Sequence, residues 1–224
     1  TVNVTNVNDN SPVITSDATF TAAENQTAIG TVIATDADGD DITFTVSGSE
    51  LEITSAGVLT FATAPDYETK TSYTATVTAS DGTNTVTQDI TVNVTDANDP
   101  PTFTSNATFS AAENQTAIGT VTATDPEGDA LSFTISGSDI TIVSSSGLLE
   151  FASAPDYESQ TSYSATVTVS DGINSVTQDI TVNVTNVNDV APEFTSNATF
   201  SAAENQTAIG TVTATDAEGD TVTF

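Results

Sequence analysis

The 224 residues contain no cysteine, histidine, arginine, methionine or tryptophan, and a single basic residue, Lys70. Each absence removes a class of function. Without cysteine there is no disulfide framework. Without histidine or cysteine there is no nucleophile–base pair of the common kinds, and no donor set for zinc or copper. Against that one lysine stand 31 acids, a net charge of −30, so no cationic surface exists for nucleic acid or an anionic membrane. No Gly-rich phosphate loop is present, and no segment reads as a membrane insertion. A paired-carboxylate glycosidase site has the residue types but no evident pocket. The sequence therefore excludes nucleic acid as a partner and reads as non-enzymatic.

What is present is repetition. Ala22-Ala23-Glu24-Asn25-Gln26-Thr27-Ala28-Ile29-Gly30-Thr31-Val32 returns at 111–121 and again at 202–212, with Glu24, Glu113 and Glu204 spaced 89 and 91 residues apart. That period suits one small domain rather than a solenoid unit. The chain divides into the end of an upstream repeat with its linker (1–10), a first repeat (11–99), a second (100–189) and the start of a third (190–224). It opens inside a strand-like run, Thr1 to Thr5, with no initiating Met, and reads as a window on a longer protein.

Within a repeat the pattern is that of strands. Tyr73, Ala75, Val77 and Ala79 alternate with Thr74, Thr76 and Thr78; Ile90, Val92 and Val94 alternate with polar neighbours; Leu59 and Phe61 point inward. β-Branched residues dominate and no helical period occurs. The spacing predicts seven strands per repeat, near 18–23, 28–35, 41–47, 51–54, 58–62, 72–80 and 84–95. That is a two-sheet antiparallel sandwich, all-β, with the inward positions apolar and the acids confined to outward faces and turns. Tyr73 and Tyr163 stand either as corner tyrosines or as plain core aromatics.

The acids recur in register. Each repeat carries a lone Glu (Glu24, Glu113, Glu204) and a Thr-Asp-x-[Asp/Glu]-Gly-Asp turn: Asp36, Asp38 and Asp40; Asp125, Glu127 and Asp129; Asp216, Glu218 and Asp220. The complete repeats add Pro-Asp-Tyr-Glu (Asp66 and Glu68; Asp156 and Glu158) and Ser-Asp-Gly (Asp81; Asp171). An Asn-Asp junction recurs as Asn8-Asp9, Asn98-Asp99 and Asn188-Asp189. On a sandwich, the lone Glu, the Asp-Tyr-Glu and the linker start gather at one end. The acidic turn and the Ser-Asp-Gly loop gather at the other. Carboxylates brought together repel unless cations lie among them, and many hard oxygens without His or Cys select calcium. A domain of this size is marginal in core and usually carries a staple; with no cysteine, metal is the remaining one. One such turn alone is ordinary turn chemistry; a matched set across a junction is not.

These motifs resemble tandem cadherin-type repeats, in the form found in very large bacterial surface proteins. The resemblance covers nearly the whole chain and rests on Glu24, Asp66-Tyr67-Glu68, Asp96-Ala97-Asn98-Asp99, Asp125-Pro126-Glu127 and Asp171, met in that order. It implies Greek-key, immunoglobulin-like sandwiches in an extended rod, about three calcium ions per junction, and an extracellular, cell-surface location. Calcium and neighbouring repeats of the same chain are the implied partners, with like chains in a filament or matrix as a further one. The chain departs from the family pattern in several places. Tyr67 replaces the usual Arg. Pro100 and Val190 follow the junction Asp where Asn10 keeps the usual Asn. Glu127 and Glu218 replace an Asp, which shifts or removes one ion. Asn6 and Asn186 replace the first linker Asp, so the junction at 96–99 is expected to bind best. Asp40, Asp129 and Asp220 either add ligands or close their turns.

Residues 11–99 carry 14 acids and one lysine. Three calcium ions would leave roughly −7 per repeat, so neighbouring molecules repel. Asp17, Glu50, Glu52 and Asp89 are read as a solvated surface. The Thr-x-Thr runs suggest an ice-binding face, but exposed Thr alternation is ordinary and sandwich sheets are twisted. The Asn-x-Thr sequons, such as Asn25-Gln26-Thr27, matter only in a glycosylating producer. The expected function is a calcium-stiffened spacer or filament segment of a bacterial cell-surface adhesin. The alternatives are a homophilic or carbohydrate-binding adhesion module, or a biofilm-matrix filament subunit.

Overall fold

The computed structural model describes residues 2–3 and 7–224. Thr1, Val4, Thr5 and Asn6, part of the expected leading run and linker, lie outside the described residues. Every described element is a strand. The chain falls into two compact units, Thr1–Asn98 and Asp99–Phe224.

In the first unit the strands are β1 (Val13–Ile14), β2 (Thr19–Ala23), β3 (Ala28–Thr31), β4 (Ala34–Thr35), β5 (Thr43–Val46), β6 (Leu51–Ile53), β7 (Val58–Phe61), β8 (Ser72–Ser80) and β9 (Thr85–Thr95). The second unit repeats them as β10 (Thr102–Phe103), β11 (Thr108–Ala112), β12 (Ala117–Thr120), β13 (Ala123–Thr124), β14 (Ser132–Ile135), β15 (Ile140–Ile142), β16 (Leu148–Phe151), β17 (Ser162–Ser170) and β18 (Ser175–Thr185). It then adds β19 (Glu193–Phe194) and β20 (Ala214–Thr215). Each full repeat has a four-stranded sheet, β2-β9-β8-β5 or β11-β18-β17-β14, and a three-stranded one, β3-β7-β6 or β12-β16-β15.

The all-β sandwich agrees with the alternation. Val77, Ala79, Ile90 and Val92 are buried, with Leu59 and Phe61 facing them from the other sheet. Tyr73 packs edge-on against Phe61 with ring centroids 5.0 Å apart, which favours the core-aromatic reading.

Three features differ from expectation. The run 28–35 is two strands, not one: β3 pairs with β7, whereas β4 pairs with β1, a strand too short to carry a period. Between them Val32 donates its amide to Gly57 O at 2.8 Å. Gly57 sits at φ +88°, and a Cβ there would lie 2.3 Å from Val32 O, so only glycine fits this close approach. The last strand is also shorter than expected. β9 has 11 residues, or about 36 Å, because Asn84 is held in the preceding turn by Asp81.

The third difference matters most. β2 pairs with β9 in parallel, with Ala23 opposite Thr95, so the sandwich is not wholly antiparallel. The first and last long strands of a repeat therefore run the same way. The chain enters a repeat at one end and leaves at the other, and the residues that follow the two strands, Glu24 and Asp96, emerge side by side.

Asp89, read as a solvated acid, is partnered. It stands opposite Thr76 and accepts a hydrogen bond from Thr76 Oγ1 at 2.7 Å; Thr166 and Asp179 repeat the pair at 2.6 Å. Replacing Thr166 by Val removes a charge-assisted bond between exposed groups. Thermal denaturation is expected to show a loss of about 1 kcal/mol, which is ~4–8 °C for a domain of this size.

Candidate metal sites at the ends of each repeat

The downstream end of the first repeat is organised by Glu24. Its place at the linker end was expected from the motif order, but its burial was not: it is 3% exposed. The parallel β2–β9 pairing explains this, because it delivers Glu24 into the gap between the departing linker and the Pro65–Lys70 turn. Both carboxylate oxygens are then used. Oε2 accepts the Tyr67 amide at 2.6 Å, and Oε1 accepts the Ala97 amide at 2.8 Å. Asn25 follows at φ 60°, a conformation asparagine tolerates, and donates its amide to Pro65 O at 3.0 Å. A buried carboxylate bound by two backbone amides is fixed in place before any ligand arrives. Oxygens of Glu24, Glu68 and Asp96 lie within 4.8 Å of one another.

The second repeat builds the same device with a different third member. Glu113, also 3% exposed, accepts the Tyr157 amide at 2.8 Å and the Val187 amide at 2.7 Å. Asn186 stands where Asp96 does, and here the oxygens of Glu113, Glu158 and Asp189 come within 4.8 Å. Asn114, at φ 63°, donates to Asp189 Oδ2 and holds it there. Burial raises the Glu158 carboxyl pKa, and the charges of Glu113, Glu218 and Asp156 raise it further.

Asp66 and Asp156 lie outside these clusters and shape the turn instead. Asp66 Oδ1 accepts the Thr69 amide at 3.0 Å, and Asp156 accepts from Glu158 N at 3.1 Å and from Ser159 Oγ at 2.8 Å.

The upstream end of the first repeat ties the linker down. Asp38 Oδ2 accepts the amides of Asp9 and Asn10 at 3.1 and 2.8 Å, and its Oδ1 accepts Asn10 Nδ2 at 2.9 Å. These bonds, Asn10's first, hold the Asp38 carboxyl pKa below its ordinary value. Asp36 Oδ1 accepts the Asp38 amide at 2.8 Å, closing the turn. Asp81 Oδ1 accepts the amides of Thr83 and Asn84 at 2.7 and 2.6 Å. Burial pushes the Asp81 pKa up, but the bonds from Asn84, Thr83 and Asn8 outweigh it and leave the value lowered. Asn84, which the motif reading passed over, donates through Nδ2 to Asn8 Oδ1 at 3.1 Å and to Asn10 O at 3.0 Å. Its signal was available: Asn174 recurs in register, three residues after Asp171, and its amide is held by Asp171 Oδ1 at 2.6 Å.

The glutamates that replace an aspartate keep its role. Glu127 Oε2 accepts the Asp99 amide at 3.2 Å, as Asp38 does for Asp9. Glu218 Oε1 accepts the amides of Asp189 and Val190 at 2.5 and 3.2 Å, while Asn188 Nδ2 donates to Asp220. The longer side chain is absorbed by the turn.

In Asp36, Asp125, Glu127 and Glu218 one oxygen thus holds the linker or the turn, and the other is left over. Asp36 Oδ2, Asp40 Oδ2, Asp125 Oδ2, Glu127 Oε1 and Glu218 Oε2 are shielded from solvent and have no hydrogen-bond partner. Oxygens of Asp36, Asp38 and Asp40 lie within 4.8 Å of one another, as do those of Asp216, Glu218 and Asp220. Burial raises the pKa of Asp40 and of Glu127; for Asp40 the charges of Asp36, Asp38 and Asp81 add to it. Shielded, partnerless carboxylate oxygens close together are costly without a counter-charge. An all-oxygen donor set of this kind fits calcium.

Comparison with known proteins gives the family. A profile described as "Bacterial Ig domain" matches residues 8–95 and again 98–185. The chain is 31% identical over 244 residues to mouse (Mus musculus) "Cadherin EGF LAG seven-pass G-type receptor 1", covering 96% of this chain and 8% of that receptor. It is 36% identical over 156 residues to "Chitinase A" of Pseudoalteromonas piscicida, covering 68% of this chain and 19% of that protein. Among solved structures, the protocadherin GammaB4 extracellular domain matches with a TM-score of 0.54 at 25% identity, covering 96% of this chain and 39% of that one. The chain thus spans a small part of the curated relatives it matches. It belongs to the bacterial Ig domain family, as tandem repeats of a cadherin-like fold.

Proposed function

We propose that the chain is a calcium-stiffened spacer of a bacterial cell-surface adhesin, extracellular, with calcium held at the junctions between repeats. The observation that carries this reading is the division of labour within Asp36, Asp125, Glu127 and Glu218: one oxygen fastens the linker or turn, and a second, shielded oxygen has no hydrogen-bond partner. Glu24 and Glu113, with Asp96 and Asp189, would hold ions at the downstream end of a repeat. Asp36, Asp38 and Asp81, or Asp216 and Glu218, would hold them at the upstream end. Asp125, Glu127, Asp171, Asn98 and Asp99 fill the corresponding places of the middle junction in the sequence. Calcium supplies positive charge and accepts flexible oxygen coordination. The protein supplies preformed carboxylates and a linker already fastened on both sides.

The mechanical consequence follows from the fold of a single repeat. A chain that enters at one end and leaves at the other propagates, and a fastened linker lets successive repeats transmit direction. Reach would then scale with copy number.

Small-angle scattering of the 224-residue protein tests this. In millimolar calcium the maximum dimension is expected to be long and sharply defined; in excess chelator the mean dimension falls and its distribution broadens. Superimposable curves would overturn the reading.

A further inference from the structure

β2 stands at the edge of its sheet, in the order β2-β9-β8-β5, so β9 is its ladder partner in that sheet. The pairing is parallel and runs from Thr19 opposite Thr91 to Ala23 opposite Thr95. β2 is reached from the upstream end of the repeat, and β9 is left at the downstream end. Tension between Asp17, before β2, and Ala97, after β9, therefore draws the two strands past each other along their own length. An antiparallel pair would be gripped at one end only, and its bonds would open one at a time.

The ladder is closed at both ends. Thr91 donates its amide to Ala18 O at 2.8 Å ahead of the first pair, and Glu24 donates its amide to Thr95 O at 3.1 Å behind the last. The second repeat has the same two bonds, Thr181 to Ala107 O at 2.9 Å and Glu113 to Thr185 O at 3.1 Å. Ala22, Val92 and Val94 of the two strands are buried in the core. Under shear these bonds and contacts share the load and must yield together.

Glu24 adds a latch across the same seam. It follows β2 directly, and its Oε1 accepts the amide of Ala97, two residues past the end of β9, at 2.8 Å. Glu113 holds the amide of Val187 in the same way at 2.7 Å. The carboxylates beside the latch differ between the repeats. In the first, Glu24 and Asp96 are the residues immediately after β2 and β9, so a cation between them would tie the two strand ends directly. In the second, Asn186 holds that place and the clustered acid is Asp189, four residues beyond β18, which leaves linker between the tie and the strand.

We propose that the β2–β9 ladder, latched by Glu24, is a load-bearing clamp, and that each complete repeat resists tension along the chain by shear. Bearing force is a duty separate from setting reach. The clamp stands without metal. Its strengthening by calcium rests on the function proposed above.

The chain has no cysteine, so introduced pairs fix the points at which the whole 224-residue protein is held. Asp17→Cys with Ala97→Cys loads the first repeat along the ladder. Gln26→Cys with Ala97→Cys grips both strands at one end and peels them apart. Asp17 and Gln26 are exposed, and both proteins share the change at Ala97, so any loss there cancels. The second repeat lies outside the path of the force in each. Lifetimes at constant force in optical tweezers read the unfolding rate. In chelator the lengthwise pair is expected to outlive the crosswise pair at least about tenfold at equal force, a barrier difference of about 1.4 kcal/mol. Equal lifetimes overturn the proposal. Calcium is expected to lengthen the lengthwise lifetime further, and Asp96→Asn to remove that gain while keeping the difference between directions. A difference between directions with no gain in calcium supports the clamp and overturns the ion at this site. A gain in calcium with no difference between directions overturns the clamp and leaves the ion standing.

Discussion

On the proposed calcium sites, removing calcium is expected to lower the melting temperature of this protein by ~10 °C or more, the largest effect expected of any change of solvent. A ligand that binds only the folded state, at a hundred times its dissociation constant, contributes about 2.7 kcal/mol per site. For a domain of roughly 90 residues each kcal/mol shifts the midpoint by ~4–8 °C. One occupied site per repeat is enough for the stated shift. The apo protein is also burdened by its own charge. Asp40, Glu127 and Glu158 are all held above the ordinary carboxyl pKa, first by burial and then by neighbouring acids. An acid whose pKa is raised by folding favours the folded state below its ordinary pKa and loses that contribution as pH climbs through the raised value. Chelated protein should therefore gain stability on mild acidification, while calcium-bound protein loses it as its ligands protonate. Differential scanning calorimetry at two pH values, with calcium, magnesium or chelator, reads all of this. Magnesium restores little, because it demands near-octahedral geometry and retains its water. Coincident scans in calcium and chelator would remove the metal from the account.

The part of this structure written most plainly in the sequence is the part that repeats. Alternation over 72–80 and 85–95 located the long strands because one face of each is buried and the other is wet. β1 and β4, two residues each, are too short for any periodicity to register. The parallel pairing of β2 with β9 left no local trace either, since parallel and antiparallel neighbours ask the same of a half-buried strand. The burial of Glu24 was hidden for that reason. The motif order put this glutamate at the linker end of the sandwich, but a lone glutamate between an Ala-Ala pair and an asparagine does not read as buried until the strand before it is known to end beside the linker. Asp66 differs. Its place in Pro-Asp-Tyr-Glu looks like that of a ligand; its Oδ1 accepts the Thr69 amide, and it stands outside the carboxylate clusters. The recurring acids pointed to the two ends of a repeat; only the hydrogen bonds separate those that fasten backbone from those with an oxygen to spare.

Glu113→Gln separates these two duties. Both Glu113 oxygens accept backbone amides, from Tyr157 and Val187, in a position 3% exposed. Glutamine can serve one of them; at the other its NH₂ meets an N–H, leaving a buried donor unpaired at about 1–3 kcal/mol. That loss is independent of metal and should appear in chelator as a fall of ~4–20 °C in the midpoint of the second repeat. In calcium the deficit is larger by whatever the ion contributed, about 2.7 kcal/mol or more. Asp189→Asn is the counterpart. Asp189 is exposed and accepts from Asn114, so its substitution should matter in calcium and leave the chelated protein within ~0.5 kcal/mol of wild type. The ion requires a larger deficit for Glu113→Gln in calcium than in chelator. Equal deficits in the two solvents would leave Glu113 as a linker clamp alone, with the carboxylates around it a surface feature. No deficit in either would mean that the clamp does not hold the linker in solution, and the preformed downstream site would fall with it.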